Sequence, residues 1–213
     1  ACRQVFPEAQ YTVSQLCKLM SKPNKAAFAA AMHLIGYMYE VRDEGITFSS
    51  DESPIPIAFS DASNRPDRRD SKRSYGYSLH FMGGPIVWSA KKVAHSCAST
   101  AGNEYMALSA AARHTVWLRQ LFAELGLGQF ITQPTVIYGD NQTANKWSRE
   151  EIISEANMWI LQSYHYVREM GSTGENMIEV RYVPTKRNIA DLFTKGLPTE
   201  TLRYLKPLMN GGS

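Results

Sequence analysis

Asp61, Glu104, Asp140 and Asp191 are the residues of this chain whose types and placement can do chemistry together, because each sits where its own local motif delivers a side chain to one end of a sheet. Two unit charges about 4 Å apart repel by roughly 4 kcal/mol at an effective dielectric of 20, so four gathered carboxylates must bind protons or cations. All-oxygen ligation suits Mg2+, with Mn2+ possible, rather than zinc. Two such ions about 3.5 to 4 Å apart can clamp the attacking and leaving oxygens of a phosphodiester. Any one of these acids alone reads equally well as a solvated cap or surface charge. Their joint occurrence at two strand ends and two helix starts favours a metal-ion nuclease.

The elements that must position them are legible. Residues 55–61 form a short apolar run ending in Asp61, and residues 135–140 repeat that design up to Asp140. Ser99 and Thr100 offer N-caps for a long helix on which Glu104, Leu108, Ala111, Thr115, Leu118, Phe122 and Leu125 recur at steps of four and three. Glu104 therefore begins the stripe that faces the sheet. Asp191 follows the strand 178–183, and Pro184 breaks the chain before a helix whose first turn holds this acid. Tyr75, Tyr77, Leu79 and Phe81 alternate as a strand, and Gly83-Gly84-Pro85 turns into a third strand over 86–89. Ile153, Ile160, Tyr164 and Val167 share one face of a helix expected over 151–170. Upstream, residues 12–50 read as helical, with Phe28, Ala31, Ile35 and Tyr39 on one face, until Gly45 and the stretch 49–56 break the pattern. That face wants a partner.

Six motifs in order carry a resemblance. They are Ser60-Asp61-Ala62, Lys72-Arg73-Ser74-Tyr75-Gly76-Tyr77, the run from Gly83 to Lys92, Asn103-Glu104-Tyr105-Met106-Ala107-Leu108, Tyr138-Gly139-Asp140-Asn141-Gln142-Thr143-Ala144, and Tyr182-Val183-Pro184-Thr185 through Ala190-Asp191-Leu192-Phe193-Thr194-Lys195. Over residues 55–198 the chain resembles the ribonuclease H domain of copia-type LTR-retrotransposon Pol polyproteins. Residues 11–20 and the helix after Pro23 more weakly resemble the end of the reverse transcriptase.

The resemblance implies an α/β, RNase H-like fold: a mixed five-stranded sheet flanked by helices over 51–213, with a helical extension over 1–50. It implies that Asp61, Glu104, Asp140 and Asp191 hold two Mg2+ ions, or Mn2+, and that the chain cleaves the RNA strand of an RNA/DNA hybrid during reverse transcription. The products would be a 3'-hydroxyl and a 5'-phosphate. The implied partners are the hybrid and the reverse transcriptase region of the same polyprotein. The implied location is the cytoplasm, in the element's virus-like particle. The alternative is a catalytically idle or domesticated module that docks a reverse transcriptase or another protein. Two positions depart from the family pattern, and a third departs from its cellular relatives, which carry a His just before the final Asp. Ala101-Gly102-Asn103-Glu104-Tyr105 keeps only the second of two usual acids, Trp159 stands where a His is expected, and Lys186 and Arg187, not a His, precede Asn188 and Asp191.

Composition fits this reading. At 213 residues, 44% hydrophobic and 20% charged, the chain can bury one core plus an appendage. Its net charge of +3 is modest, so attraction of phosphates falls to local clusters. Arg65, Arg68, Arg69, Lys72 and Arg73 form one, partly offset by Asp67 and Asp70; Lys186, Arg187 and Lys195 form another beside the fourth acid. A solvated loop is the plain alternative for the first. The amides of Asn103, Asn141 and Gln142 lie beside acids in sequence, where they are candidates to sense a 2'-hydroxyl, although Asn141 also suits a helix cap. Cys2, Cys17 and Cys97 form no Cys-x-x-Cys pair, which points to a reducing compartment. His33, His80, His95, His114 and His165 lack metal-ligand spacing and are expected to be structural or superficial. No apolar run approaches the ~20 residues of a membrane span, and no basic-then-apolar export signal is expected.

Overall fold

Five strands make one sheet: β1 (Ile57–Ala62), β2 (Ser74–Phe81), β3 (Gly84–Lys92), β4 (Thr135–Gly139) and β5 (Ile178–Tyr182), in the order β3-β2-β1-β4-β5. The structure, a computed structural model, describes residues 5–63, 73–93, 99–150 and 160–212. The first three strands pair antiparallel, and β4 runs parallel to both β1 and β5. This is the mixed sheet expected of an RNase H-like fold. Met82 and Gly83 both have positive φ, 51° and 82°, which is the two-residue turn whose twist matches a tight β2–β3 hairpin. Parallel pairing of β1 with β4 demands a long crossover, and a 25-residue helix lies within it.

The described helices are α1 (Gln10–Cys17), α2 (Lys25–Glu40), α3 (Thr100–Glu124), α4 (Gln142–Trp147), α5 (Leu161–Met170), α6 (Asp191–Thr194) and α7 (Thr199–Asn210). Strand alternation sorts the sheet into two cores. On one face, Ala58, Tyr77, Leu79, Ile137, Ile178 and Val180 meet Tyr105, Leu108, Ala111, Ala112, Leu118 and Phe122 of α3, with Tyr164 and Val167 of α5. On the other, Phe59 meets Ile189, Ala190, Leu192, Phe193, Leu205 and Met209 from the segment carrying α6 and α7. Burying an aliphatic or aromatic side chain of this size contributes about 1.5 to 3 kcal/mol, so α3 and α6 are clamped to opposite faces. The site lies at the edge they share.

Several expected elements differ in extent. The helical stretch 12–50 is two helices: Pro23 offers no N–H, and Asn24 restarts the chain by accepting a hydrogen bond from the Ala27 amide at 2.8 Å. From Val41 to Pro56 no further helix forms. The third strand runs past 89 to Lys92, because Ala90, Lys91 and Lys92 continue the pairing with Gly76, Tyr75 and Ser74. Leu125 falls outside the buried stripe of α3: it follows the last helical residue, is 63% exposed, and precedes Gly126 at φ 73°. Ile160, Tyr164 and Val167 are buried as expected, while Ile153 lies outside the described residues. Residues 10–49 are joined to the rest at several points. α1 packs on α6 and β3, the Thr47 amide donates to the Asn210 carbonyl at 2.8 Å, and the Ser49 amide donates to Met82 at 3.0 Å.

Candidate active site

Ser60 of β1 pairs in parallel with Gly139 of β4, so the next residue of each chain, Asp61 and Asp140, emerges at neighbouring positions one strand spacing apart. Asp191 is brought to them by α6. Two contacts set its place. Asn188, fully buried, donates its Nδ2 to the Ser60 carbonyl at 3.0 Å and accepts from the Ala190 amide at 3.2 Å, tying the start of α6 to β1. Opposite Asp61 on β2 stands Gly76, where a Cβ would lie 2.3 Å from Cβ of Phe193, so only glycine lets α6 approach the sheet this closely. Carboxylate oxygens of Asp61, Asp140 and Asp191 consequently lie within 4.8 Å of one another.

Glu104 comes from the opposite face. Ser99 caps α3, its Oγ accepting from the Gly102 amide at 3.0 Å, and Asn103 donates Nδ2 to the Ser99 carbonyl at 2.8 Å. One turn in, Glu104 Oε2 accepts the Ala62 amide at 2.9 Å, just past Asp61. The three aspartates thus cluster by themselves, and Glu104 borders them with one oxygen committed to the backbone.

Burial dominates the electrostatics. Asp61 is 0% exposed and its carboxyl is raised to about 7, first by desolvation and then by Asp191 and Asp140, against the pull of Lys195 and Thr194. Glu104 is raised to about 9 by desolvation, with Asp61 and Asp140 adding to it. Asp191 is raised as well, by desolvation, while its bond to Lys195 works the other way. The compensating groups are close: the Thr194 hydroxyl donates to Asp61 Oδ2, and Lys195 Nζ lies 2.6 Å from Asp191 Oδ1. Burial would lower the lysine, but Asp61 and Asp191 hold it above its ordinary value. A donor set made only of carboxylate oxygens, with one lysine against several acids, fits a divalent cation that prefers oxygen ligands.

The other expected site residues divide. Lys186 and Arg187 are exposed on a single 3-10 turn, Thr185–Arg187, just ahead of Asn188. Asn141 caps α4, accepting from the Ala144 amide at 3.0 Å, and Gln142 is exposed beside it. Asn103 corrects the expectation of a substrate-sensing amide: it is fully buried and anchors the start of α3. Arg73 is half-buried at the start of β2; Arg65, Arg68, Arg69, Lys72 and Trp159 lie outside the described residues. Of the histidines, His80 is buried against Ser78 Oγ at 3.0 Å, His114 meets the Tyr77 hydroxyl at 3.0 Å, and His33 and His165 are exposed. His95 lies outside the described residues. Sequence reasoning missed Thr194, Asn188 and Gly76, and placed Lys195 only beside the fourth acid. An i, i+4 acid-to-lysine pair starting at Asp191 was the available signal for its inner position.

No family model matches the chain. It is 28% identical over 203 residues to the retrovirus-related Pol polyprotein from transposon TNT 1-94 of Nicotiana tabacum, a match covering 95% of this chain and 15% of that protein. The retrovirus-related Pol polyprotein from transposon RE1 of Arabidopsis thaliana is 28% identical over 191 residues, 90% of this chain and 13% of that one. The chain is similar to transposon Pol polyproteins over nearly its whole length. It spans about one-seventh of the length of those Pol relatives. A shorter relative, the secreted RxLR effector protein 161 of Plasmopara viticola, is 28% identical over 112 residues, covering 53% of this chain and 79% of that protein. Among solved structures, RNase H1 from Halobacterium salinarum superposes with a TM-score of 0.46 at 18% identity, covering 70% of this chain and 98% of that one. LC11-RNase H1 in complex with RNA/DNA hybrid gives 0.48 at 13% identity, covering 65% and 93%. Among the described residues, no helix is long and apolar enough to cross a membrane.

Proposed function

We propose that this chain is a metal-dependent endoribonuclease, a ribonuclease H that hydrolyses the RNA strand of RNA/DNA hybrids, and that it serves reverse transcription of a retrotransposon. The observation that carries the reading is the convergence of Asp61, Asp140 and Asp191 within 4.8 Å at one sheet end, in a chain whose relatives are transposon Pol polyproteins. Asp61, Asp140 and Asp191 would hold the ions, with the free oxygen of Glu104 completing the set. Two divalent ions bound there supply the activation of water and the stabilisation of charge on the phosphate. The protein's part is orientation. Asn188 and the Thr194 hydroxyl fix Asp191 and Asp61 relative to each other, and the Ala62 amide fixes Glu104. A new oxygen–phosphorus bond forms from water, the bond from phosphorus to O3' breaks, and the departing O3' takes a proton. Lys186 and Arg187, exposed beside α6, suit phosphates of the bound duplex.

The test is cleavage of a labelled RNA/DNA hybrid in Mg2+, with duplex DNA and single-stranded RNA as comparisons. Wild type cuts the RNA of the hybrid; Asp140→Asn, which removes a ligand without opening a cavity, loses on the order of 10³-fold or more while keeping its circular dichroism spectrum. Equal cleavage by the two proteins, or comparable cutting of duplex DNA, would sink the reading. A second reading, an idle module that docks a reverse transcriptase or another protein, is favoured by one observation: Phe28, Met32, Ile35 and Tyr39 of α2 are exposed on one helical face. Wild type that binds hybrid and cuts nothing at any Mg2+ or Mn2+ level would support it.

A further inference from the structure

The acid cluster already contains a cation of the protein's own. Lys195 follows the last residue of α6 with an extended backbone, φ −136° and ψ 150°, and its side chain returns to the acids. Its Nζ is 2.6 Å from Asp191 Oδ1 and 3.5 Å from each oxygen of Asp61. The two aspartate side chains are 1% and 7% exposed, so little water shares the neutralisation, whereas the lysine side chain is 35% exposed. A divalent ion shared by Asp61 and Asp191 would take the same oxygens at about 2.0 to 2.1 Å, which leaves no room for an ammonium on them and sets two positive centres against each other at short range.

We infer that Lys195 is an internal counter-ion that competes with divalent metal for Asp61 and Asp191, and that metal enters only as the ammonium swings outward. The flexible four-carbon stem and its exposed flank make that motion a rotamer change. Thr194 stays behind, its hydroxyl still holding Asp61. Lys195 is then a positioning residue that weakens metal binding and keeps the buried aspartates folded when metal is scarce. This rests on the metal-site reading above.

The experiment is calorimetric titration of the full chain with Mn2+ at fixed pH and ionic strength, with thermal melting in chelator and in excess Mn2+. Lys195→Gln removes the charge but keeps a donor; it should bind Mn2+ about tenfold or more tightly than wild type, melt lower in chelator, and gain more on adding metal. Lys195→Arg, which keeps the charge, should stay near wild type in affinity. Were Lys195→Gln unfolded in chelator, recovery of its native spectrum by Mn2+ at concentrations that leave wild type unsaturated would support the same conclusion. Affinity in Lys195→Gln equal to or weaker than wild type overturns the inference. Asp140→Asn separates the two failures. If it binds Mn2+ as wild type does, the metal site itself is wrong; if it loses binding while Lys195→Gln gains none, only the role of Lys195 falls.

Discussion

Asp61 is 0% exposed and Phe28 is 69% exposed. The end of the sheet buries charge, the helix α2 exposes apolar surface, and the two regions break the usual partition in opposite directions. What differs is compensation. Around the acids, Thr194, Lys195 and the Ala62 amide offset the burial one contact at a time, so the cluster depends on the packing of α6 and α3 on the sheet. Along α2, Phe28, Met32, Ile35 and Tyr39 are each more than half exposed and no residue of the helix is buried. One region is built into the fold and the other is carried by it.

The sharpest way to break the contrast is Gly76→Ala. A Cβ 2.3 Å from Cβ of Phe193 must lift α6, and with it Asp191, Thr194 and Lys195. Overpacking of this kind costs about 1 to 3 kcal/mol, and displacement of a catalytic group by about 1 Å can cost on the order of 10²-fold in rate. Urea unfolding and hybrid cleavage should therefore both fall, and a variant with normal cleavage would show that α6 is not held by this contact.

A smaller effect sharpens it through pH. Asp61 and Glu104 have carboxyls raised in the folded chain, to about 7 and about 9, so between their ordinary values and these the native state binds more protons than the unfolded one. Their contribution is fullest at low pH and is lost as pH rises through those raised values. His80 has the opposite sign: desolvation lowers it from 6.5 to about 4, so its contribution is present above 6.5 and lost as pH falls toward 4. Melting temperature in chelator should decline on the alkaline side, saturating Mg2+ should flatten that limb, and the acid limb should be indifferent to metal. An alkaline limb that ignores metal would separate the acids from any ion.

The smallest effect belongs to α2. Phe28→Ser with Ile35→Ser should change unfolding free energy by no more than about 0.5 kcal/mol apiece and leave cleavage unchanged, since neither side chain is buried. A loss of several times that size would mean that this face is covered in the folded chain.

The same contrast explains what could be read from residues alone. The acids were visible because strand ends and helix caps are local: the run into Asp61, Ser99 ahead of α3, and Pro184 ahead of Asp191 are each decided within a few residues. Gly76 was invisible as a contact because its importance is the space it leaves for Phe193, more than a hundred residues away, where any Cβ would lie 2.3 Å from that side chain. Asn103 misled because adjacency to Glu104 in sequence says nothing of direction; on a helix, neighbours point about 100° apart. Periodicity placed Phe28, Ile35 and Tyr39 on one side of a helix correctly, yet it cannot say whether anything lies against that side. The third strand runs on to Lys92 for the converse reason: its last residues are held by pairing with β2, which is not local to them.

The bond from Asn188 Nδ2 to the Ser60 carbonyl joins residues 128 positions apart, one step before Asp61 and three before Asp191. It acts as a ruler. The separation of those two acids is gauged by one amide and a few backbone units, not by the length of chain between them. Loops between 62 and 187 are therefore free to lengthen or shorten as relatives diverge, while the count from Asn188 to Asp191 is not. Among distant copies, insertions should accumulate in the first interval and be absent from the second.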